Sequence, residues 1–305
     1  FKNYLGGAPA NVACALRKLS IPAAFIGSLG DDHFGREFIK LFEQLNINID
    51  LLQITKLFST RIVKVTRDEF GDRSFSGFEM NKSNAFADEM LDKLIIINNI
   101  KNLKKLFLTT KYIVMGTNSL AFSKSAESAN FILDVAKDFR IKVIIDVNWR
   151  EIFWKYSNIN KNSQLKKVKN FLLNADILKL ASEEAYLFFE TEDPSEISKV
   201  LTKHPDVIIT NGGQPINWFI NGIQGTNEVI QHTSKIIDTT GAGDAFLAGL
   251  ISRYYLGSNL EDHSKIKESI KFASVCGLLT CCGEGAIEQQ PEDKSVYKFL
   301  DDFGS

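Results

Sequence analysis

Two rhythms of apolar residues run along this chain. Val12, Leu16 and Leu19 share one face of a 3.6-residue repeat, with Pro9 in its first turn, and predict a helix. Residues 23–29 form a short apolar run that reads as a buried strand. Phe38, Leu41, Phe42 and Leu45 mark a second helix, and residues 47–52 a second strand. Residues 60–66 and 73–78 flank the turn-like run from Asp68 to Asp72 and predict a hairpin with one open face. From residue 91 onward, helical stretches near 91–108, 124–139, 163–174 and 183–190 alternate with apolar strands at 112–115, 143–147, 177–180 and 207–210. That alternation builds βαβ units, so the fold class is α/β: a doubly wound, mostly parallel sheet with helices on both faces. Asn221-Gly222 is a hairpin turn joining 216–220 to a further strand, and helices at 244–256, 265–282 and 292–302 close the chain.

The richest stretch runs from Asp238 to Gly249 and reads DTTGAGDAFLAG. Gly241, Ala242 and Gly243 are small enough for backbone N–H groups to point outward unobstructed, at a predicted helix N-terminus that favours anions. Asp244 adds a carboxylate to the same turn. An anion cradle beside a carboxylate suits phosphoryl transfer to a hydroxyl: the cradle holds charge on the moving group and the carboxylate takes the proton. The bland alternative is a Gly-rich turn with an acidic first-turn residue that only stabilises its helix. The dinucleotide pattern G-x-G-x-x-G fails because Phe246 stands where its last Gly belongs, and no Gly-Lys pair offers a Walker P-loop.

Bulk properties narrow the partners. The 305 residues carry a net charge of −1, which gives no electrostatic reason to expect nucleic acid or an anionic membrane. Apolar runs stay well short of the ~20 residues a bilayer span requires. Cys14, Cys276, Cys281 and Cys282 lack C-x-x-C spacing and read as reduced packing thiols, and with no charged-then-apolar leader in view the expected location is the cytoplasm. The four histidines show no ligand spacing, which argues against a transition-metal site.

DTTGAGDAFLAG resembles the C-terminal signature of the ribokinase-like carbohydrate kinases, and Gly6-Gly7-Ala8-Pro9-Ala10-Asn11-Val12-Ala13 resembles their N-terminal one. The likeness covers essentially the whole chain. It implies a ribokinase-like kinase domain over 1–55 and 81–305, with 56–80 forming part of a β lid that covers the sugar and offers a homodimer contact. It also implies ATP and Mg²⁺, with K⁺ as an added monovalent cation. In that family a strand ahead of the first motif supplies a sugar-binding Asp. The chain starts at Phe1 with Gly6-Gly7 close behind, so the expectation is a fragment without that strand.

The same resemblance implies roles residue by residue. Asp244 is the base, and Gly241, Ala242 and Gly243 hold the transferring phosphoryl. Gly6, Gly7 and Asn11 meet sugar hydroxyls. Asp146, Asn148 and Arg150, with Trp154, resemble the D-x-N-x-R-x-x-x-W stretch of the fructokinase and 2-keto-3-deoxygluconate kinase branches. Read from its residues alone, Arg150 suits a sugar hydroxyl, a carboxylate or phosphate oxygens, and the alternative is an Arg–Asp pair tying down a loop. Lys179 and Glu184 stand on the cofactor side, Glu184 orienting Mg²⁺ through water, although Ala181 replaces the family's polar residue. Thr210 and Gly212 resemble the T-x-G nucleotide turn, with Pro215 in place of a later Gly. Gly285 falls in the late loop over adenine, and Asp238 and Thr240 complete a monovalent-cation site.

These motifs, with the G-T-N-S-L run at 116–120, look most like bacterial fructokinases and imply phosphorylation of fructose. A 2-keto-3-deoxygluconate kinase, or another sugar or nucleoside kinase, is the alternative within the class. A sugar- or nucleotide-binding protein with little catalysis is the alternative outside it.

Overall fold

A computed structural model describes residues 2–67, 73–79, 85–155, 159–228, 230, 232, 235–257 and 260–303. In chain order the elements are α1 (Ala8–Lys18), β1 (Gly27–Gly30), α2 (His33–Gln44), β2 (Leu52–Thr55), β3 (Val63–Arg67), β4 (Arg73–Phe78), α3 (Lys93–Asn98), α4 (Ile100–Phe107) and β5 (Tyr112–Gly116). They continue as α5 (Ser123–Asp138), β6 (Lys142–Asp146), α6 (Glu151–Trp154), α7 (Lys161–Leu172), β7 (Ile177–Ala181), α8 (Ser182–Phe189), α9 (Pro194–Val200) and β8 (Asp206–Thr210). The last are β9 (Ile216–Ile220), β10 (Ile223–Asn227), α10 (Ala242–Tyr255), α11 (His263–Thr280) and α12 (Asp293–Phe303).

Six strands form the central sheet in the order β10-β9-β8-β7-β6-β5. Strands β5 to β8 run parallel, and β9 and β10 add an antiparallel edge. Side chains alternate across such strands, and the alternation sorts them into two cores. Ile144, Ile177 and Ile208 face Val12, Leu16, Phe246, Leu250 and Ile270, on the side of α1, α10 and α11. Val143, Ile145, Leu178, Leu180 and Val207 face Leu133, Val168, Phe171 and Phe188, on the side of α5, α7 and α8. The doubly wound expectation is met.

Two predicted strands are displaced. Pairing of the first with the second begins as one parallel bridge, Ala24 to Asn48, and resumes only at Gly27–Leu52. Between them the Asn48 side chain accepts the Asp50 N–H and Leu52 N–H reaches Ile49 O, a local turn that interrupts the ladder. The single helix expected near 91–108 is two, because Asn99 turns its amide back onto Ile95 O and leaves the helical conformation. Helix α9 went unpredicted although its start is conventional, with Asp193 capping Ser195 and Glu196 and Pro194 at the first position.

The hairpin forms as β3–β4, with a bulge between Lys64 and Val65. Its expected turn, Asp68 to Asp72, lies outside the described residues. Arg61 anchors its base. That side chain is only 8% exposed, pairs with Glu89 at 2.7 Å and lies over the rings of Phe78, Phe86 and Phe153. One guanidinium therefore joins the hairpin to α6 and to the segment that precedes α3.

Candidate active site

Two helix N-termini converge on one point. Helix α1 begins after Gly7, whose φ of 117° suits glycine, with Pro in its first turn; α10 begins after Gly241, at φ 82°. The two helices pack along each other through Val12, Leu16, Phe246 and Leu250, which brings their first turns together. There Asn11 Nδ2 donates to Asp244 Oδ2 at 2.7 Å. Both side chains are buried, Asn11 at 3% and Asp244 at 8% exposure. A carboxylate only accepts, so this bond settles which way the Asn11 amide faces. Its Oδ1 is left turned toward Gly6, buried and without a hydrogen-bond partner.

The Gly241-Ala242-Gly243 turn is held from both sides. Asp238 accepts the Thr240 N–H at 3.0 Å and the Gly285 N–H at 3.1 Å, so one buried carboxylate joins the cradle to the late loop. A Cβ on Gly241 would stand 2.8 Å from Ala286 O, so this position needs glycine for contact as well as for φ. No group of three or more His, Cys, Asp or Glu that could hold a metal ion occurs among the described residues.

Strand ends supply the opposite wall. Asp146 ends β6, and Lys179 Nζ on β7 donates to Asp146 Oδ1 at 3.1 Å, both buried. A Cβ on Gly243 would lie 3.1 Å from Lys179 Nζ, so the ammonium stands directly against the cradle. Burial lowers the affinity of Lys179 for its proton, but the carboxylates of Asp146, Glu184 and Asp244 outweigh that and raise its pKa above the ordinary value. Glu184 accepts the Trp149 N–H at 2.6 Å and the Ala181 N–H at 2.8 Å, with Arg150 Nη1 3.9 Å away. Burial and the nearby Asp146 raise its pKa, against the pull of Lys179, the Ala181 N–H and Arg150.

Arg150 hangs from a braced loop. Thr117 Oγ1 donates to Val147 O, Asn118 Nδ2 donates to Asn148 O, and Asn148 holds a φ of 41° that asparagine tolerates. Trp149 stacks on Trp154 at 4.9 Å and meets Phe188 edge-on. Thr210 ends β8 in register with Ala181 of β7, which places the Thr210–Gly213 turn on the same carboxyl edge of the sheet as Lys179 and Glu184. Gly212 is exposed there at φ 52°, and Gln214 N–H closes the turn on Asn211 O.

The structure thus gathers Asn11, Asp146, Lys179, Glu184, Asp238 and the Gly241–Asp244 turn around one place. Gly285 reaches it through Asp238, and Thr210 and Gly212 lie along the edge from it. Sequence reading missed two braces: Lys18 Nζ, which donates to Ile287 O in the segment after the late loop, and Gln290 Nε2, which donates to Asn11 O. Each is polar at an unremarkable spacing, and only the tertiary fold shows what it touches.

The sequence matches the pfkB family carbohydrate kinases over residues 1–293. The chain belongs to that family. Among curated proteins it is 29% identical to the probable fructokinase-5 of Arabidopsis thaliana, over 97% of this chain and 87% of that protein. It is 31% identical to fructokinase-1 of Zea mays, over 97% and 88%. Among solved structures, the fructokinase of Vibrio cholerae O395 with fructose, ADP and calcium bound superposes with a TM-score of 0.82 at 28% identity, covering 98% of this chain and 92% of that one. The fructokinase of Xylella fastidiosa with bound ATP gives 0.85 at 25% identity, covering 100% and 93%.

Proposed function

We propose that this protein transfers the terminal phosphoryl group of ATP to the primary hydroxyl of a sugar, with fructose as acceptor. The observation that carries the reading is Asp244: a buried carboxylate on the first turn of α10, behind the Gly-Ala-Gly cradle, oriented by Asn11 and flanked by Lys179. Relatives named as fructokinases and a neighbour holding fructose and ADP support the choice of sugar.

In the reaction, the sugar hydroxyl oxygen attacks the terminal phosphorus. The new O–P bond forms as the bond to the bridging oxygen of ADP breaks, and the hydroxyl proton passes to Asp244. N–H groups of Gly241 and Gly243 meet the charge on the moving phosphoryl, the Ala242 N–H being turned onto Thr239 O at 3.3 Å instead of outward as expected, and Lys179 adds a fixed positive charge. The unsatisfied Asn11 Oδ1 accepts from a second sugar hydroxyl, beside Gly6 and Gly7. Asp146, Asn148 and Arg150 form the far side of the sugar site.

Thr210, Gly212 and Gly285 line the nucleotide site. Glu184 keeps a second lone pair on each carboxylate oxygen, which suits a water on Mg²⁺ held mainly by the nucleotide's phosphates. When bound, that ion supplies positive charge to the phosphate oxygens. Asp238, the buried carboxylate that accepts the Thr240 and Gly285 N–H groups, takes part in holding K⁺, with Thr240 beside it. Residues 1–55 and 81–305 make up the kinase body, and 56–80 belong to the lid and a homodimer contact. Among the described residues no helix is long and apolar enough to cross a membrane.

ADP release with Mg²⁺, K⁺ and ATP, measured against fructose, 2-keto-3-deoxygluconate, ribose and adenosine, tests the assignment. The highest kcat/KM on fructose is expected. Preference for another of the four replaces the sugar and keeps the chemistry.

A further inference from the structure

Gln290 is 4% exposed, yet it lies in the segment after the late loop with no part in the chemistry described above. Its Nε2 donates to the backbone carbonyl of Asn11 at 2.9 Å, across 279 residues of sequence. A carbonyl only accepts, so the Gln290 amide is oriented by this bond, and its Oε1 is left buried without a partner. Burying half of an amide unsatisfied costs free energy. Leu or Met would fill the same space without that cost, so the contact with Asn11 is the distinguishing contribution of a glutamine here.

The segment carrying Gln290 is itself fastened at both ends. At one end Gly285 N–H binds Asp238, which braces the phosphoryl cradle, and Ala286 packs on Gly241 within it. At the other, Lys18 Nζ from the last turn of α1 donates to the carbonyls of Ile287, Glu288 and Gln290. The loop therefore spans from the cradle to α1, and Gln290 delivers it to the very residue that orients Asp244.

We propose that Gln290 is a positioning residue for phosphoryl transfer. It seats the first turn of α1 so that the Asn11 side chain holds Asp244, and it ties that pair to the loop packed on the cradle. This rests on Asp244 being the base, and Gln290 acts only through Asn11.

The test is a double-mutant cycle on kcat at saturating sugar and ATP, using Gln290→Met, of similar volume without a donor, and Asn11→Ala. Misplacing a catalytic group by a fraction of an ångström costs on the order of tenfold or more. Gln290→Met in the wild-type background should therefore lower kcat about tenfold, with the KM for ATP unchanged. In the Asn11→Ala background the same substitution should change kcat less than about twofold, since the residue it works through is already gone. An equal fold-loss in both backgrounds, or none in the first, overturns the proposal. Gln290→Asn, which keeps the amide but falls short of Asn11 O, should repeat the pattern. Failure of both variants to fold would make Gln290 purely structural and also overturn it. Wild-type protein without turnover on any sugar would instead defeat the functional reading on which this stands.

Discussion

Asn11 and Asp244, 233 positions apart in sequence, meet at 2.7 Å where the first turns of α1 and α10 converge. The bond fixes the rotation of the carboxylate before any substrate arrives. A hydrogen bond to a charged group contributes roughly 1.5–3 kcal/mol. Asn11→Ala should therefore lower kcat/KM for the sugar by about ten- to a hundredfold, while the KM for ATP stays put. Steady-state kinetics with each substrate varied in turn checks this, and an equal rise in both KM values would contradict it.

Gly241 faces two demands at once. Its φ of 82° strains any residue with a Cβ, and that Cβ would press on Ala286 at 2.8 Å. Gly241→Ala should cost about 2–4 kcal/mol of stability, from left-handed strain and overpacking together. It should also lower kcat by at least about tenfold as the cradle N–H groups shift. Denaturant unfolding and turnover measured on one preparation test both. Native stability would show that the loop carrying Ala286 yields freely.

Lys179 keeps its charge through a balance of opposed effects. Burial works against the ammonium, and the three surrounding carboxylates prevail. Because its folded pKa is raised, the stabilisation is fully present below the ordinary 10.5 and is lost only as pH rises beyond that through the folded value. Lys179→Met should lower kcat by about 10²–10³. It should also cost about 3–5 kcal/mol of stability, since Asp146 is left buried without its partner. Unchanged kcat in a folded variant would remove Lys179 from the site.

At the far end of the sheet, Asp206 accepts the Asn221 N–H and the Tyr254 hydroxyl. Burial pushes its pKa up in spite of both. For an acid raised in the folded state, ionisation opposes folding. That penalty is absent below the ordinary 3.8, grows as pH rises through the folded value, and is complete above it. Asp206→Asn keeps an acceptor and can donate to the tyrosine oxygen. The variant should be the more stable protein at pH 7, with its advantage shrinking as pH falls toward 4. Urea midpoints at the two pH values decide, and a constant difference would contradict the assignment.

Much of this was legible in the sequence. Buried parallel strands are short apolar runs, and a Gly-Ala-Gly turn ahead of an apolar pattern marks a helix N-terminus, so the central sheet and the start of α10 could be placed from the chain alone. Local chemistry also explains the misplacements. The turn from Asn48 to Asp50 interrupts one strand pairing and Asn99 splits one helix, both through side chains that compete for backbone hydrogen bonds. The partnerships of the site are a different matter. Asn11 with Asp244, Asp146 with Lys179, and Gln290 with the Asn11 carbonyl join residues 33 to 279 positions apart. No period or spacing records such contacts; packing of α1 on α10, and of one strand on the next, creates them.

The most direct test of the account is ADP release on fructose by wild-type protein and by Asp244→Asn, with binding of fructose to each followed by calorimetry. The account predicts turnover by the wild type, a loss of about 10²–10⁴ in kcat in the variant, and fructose binding retained in both. Turnover in Asp244→Asn within a few-fold of the wild type would contradict it.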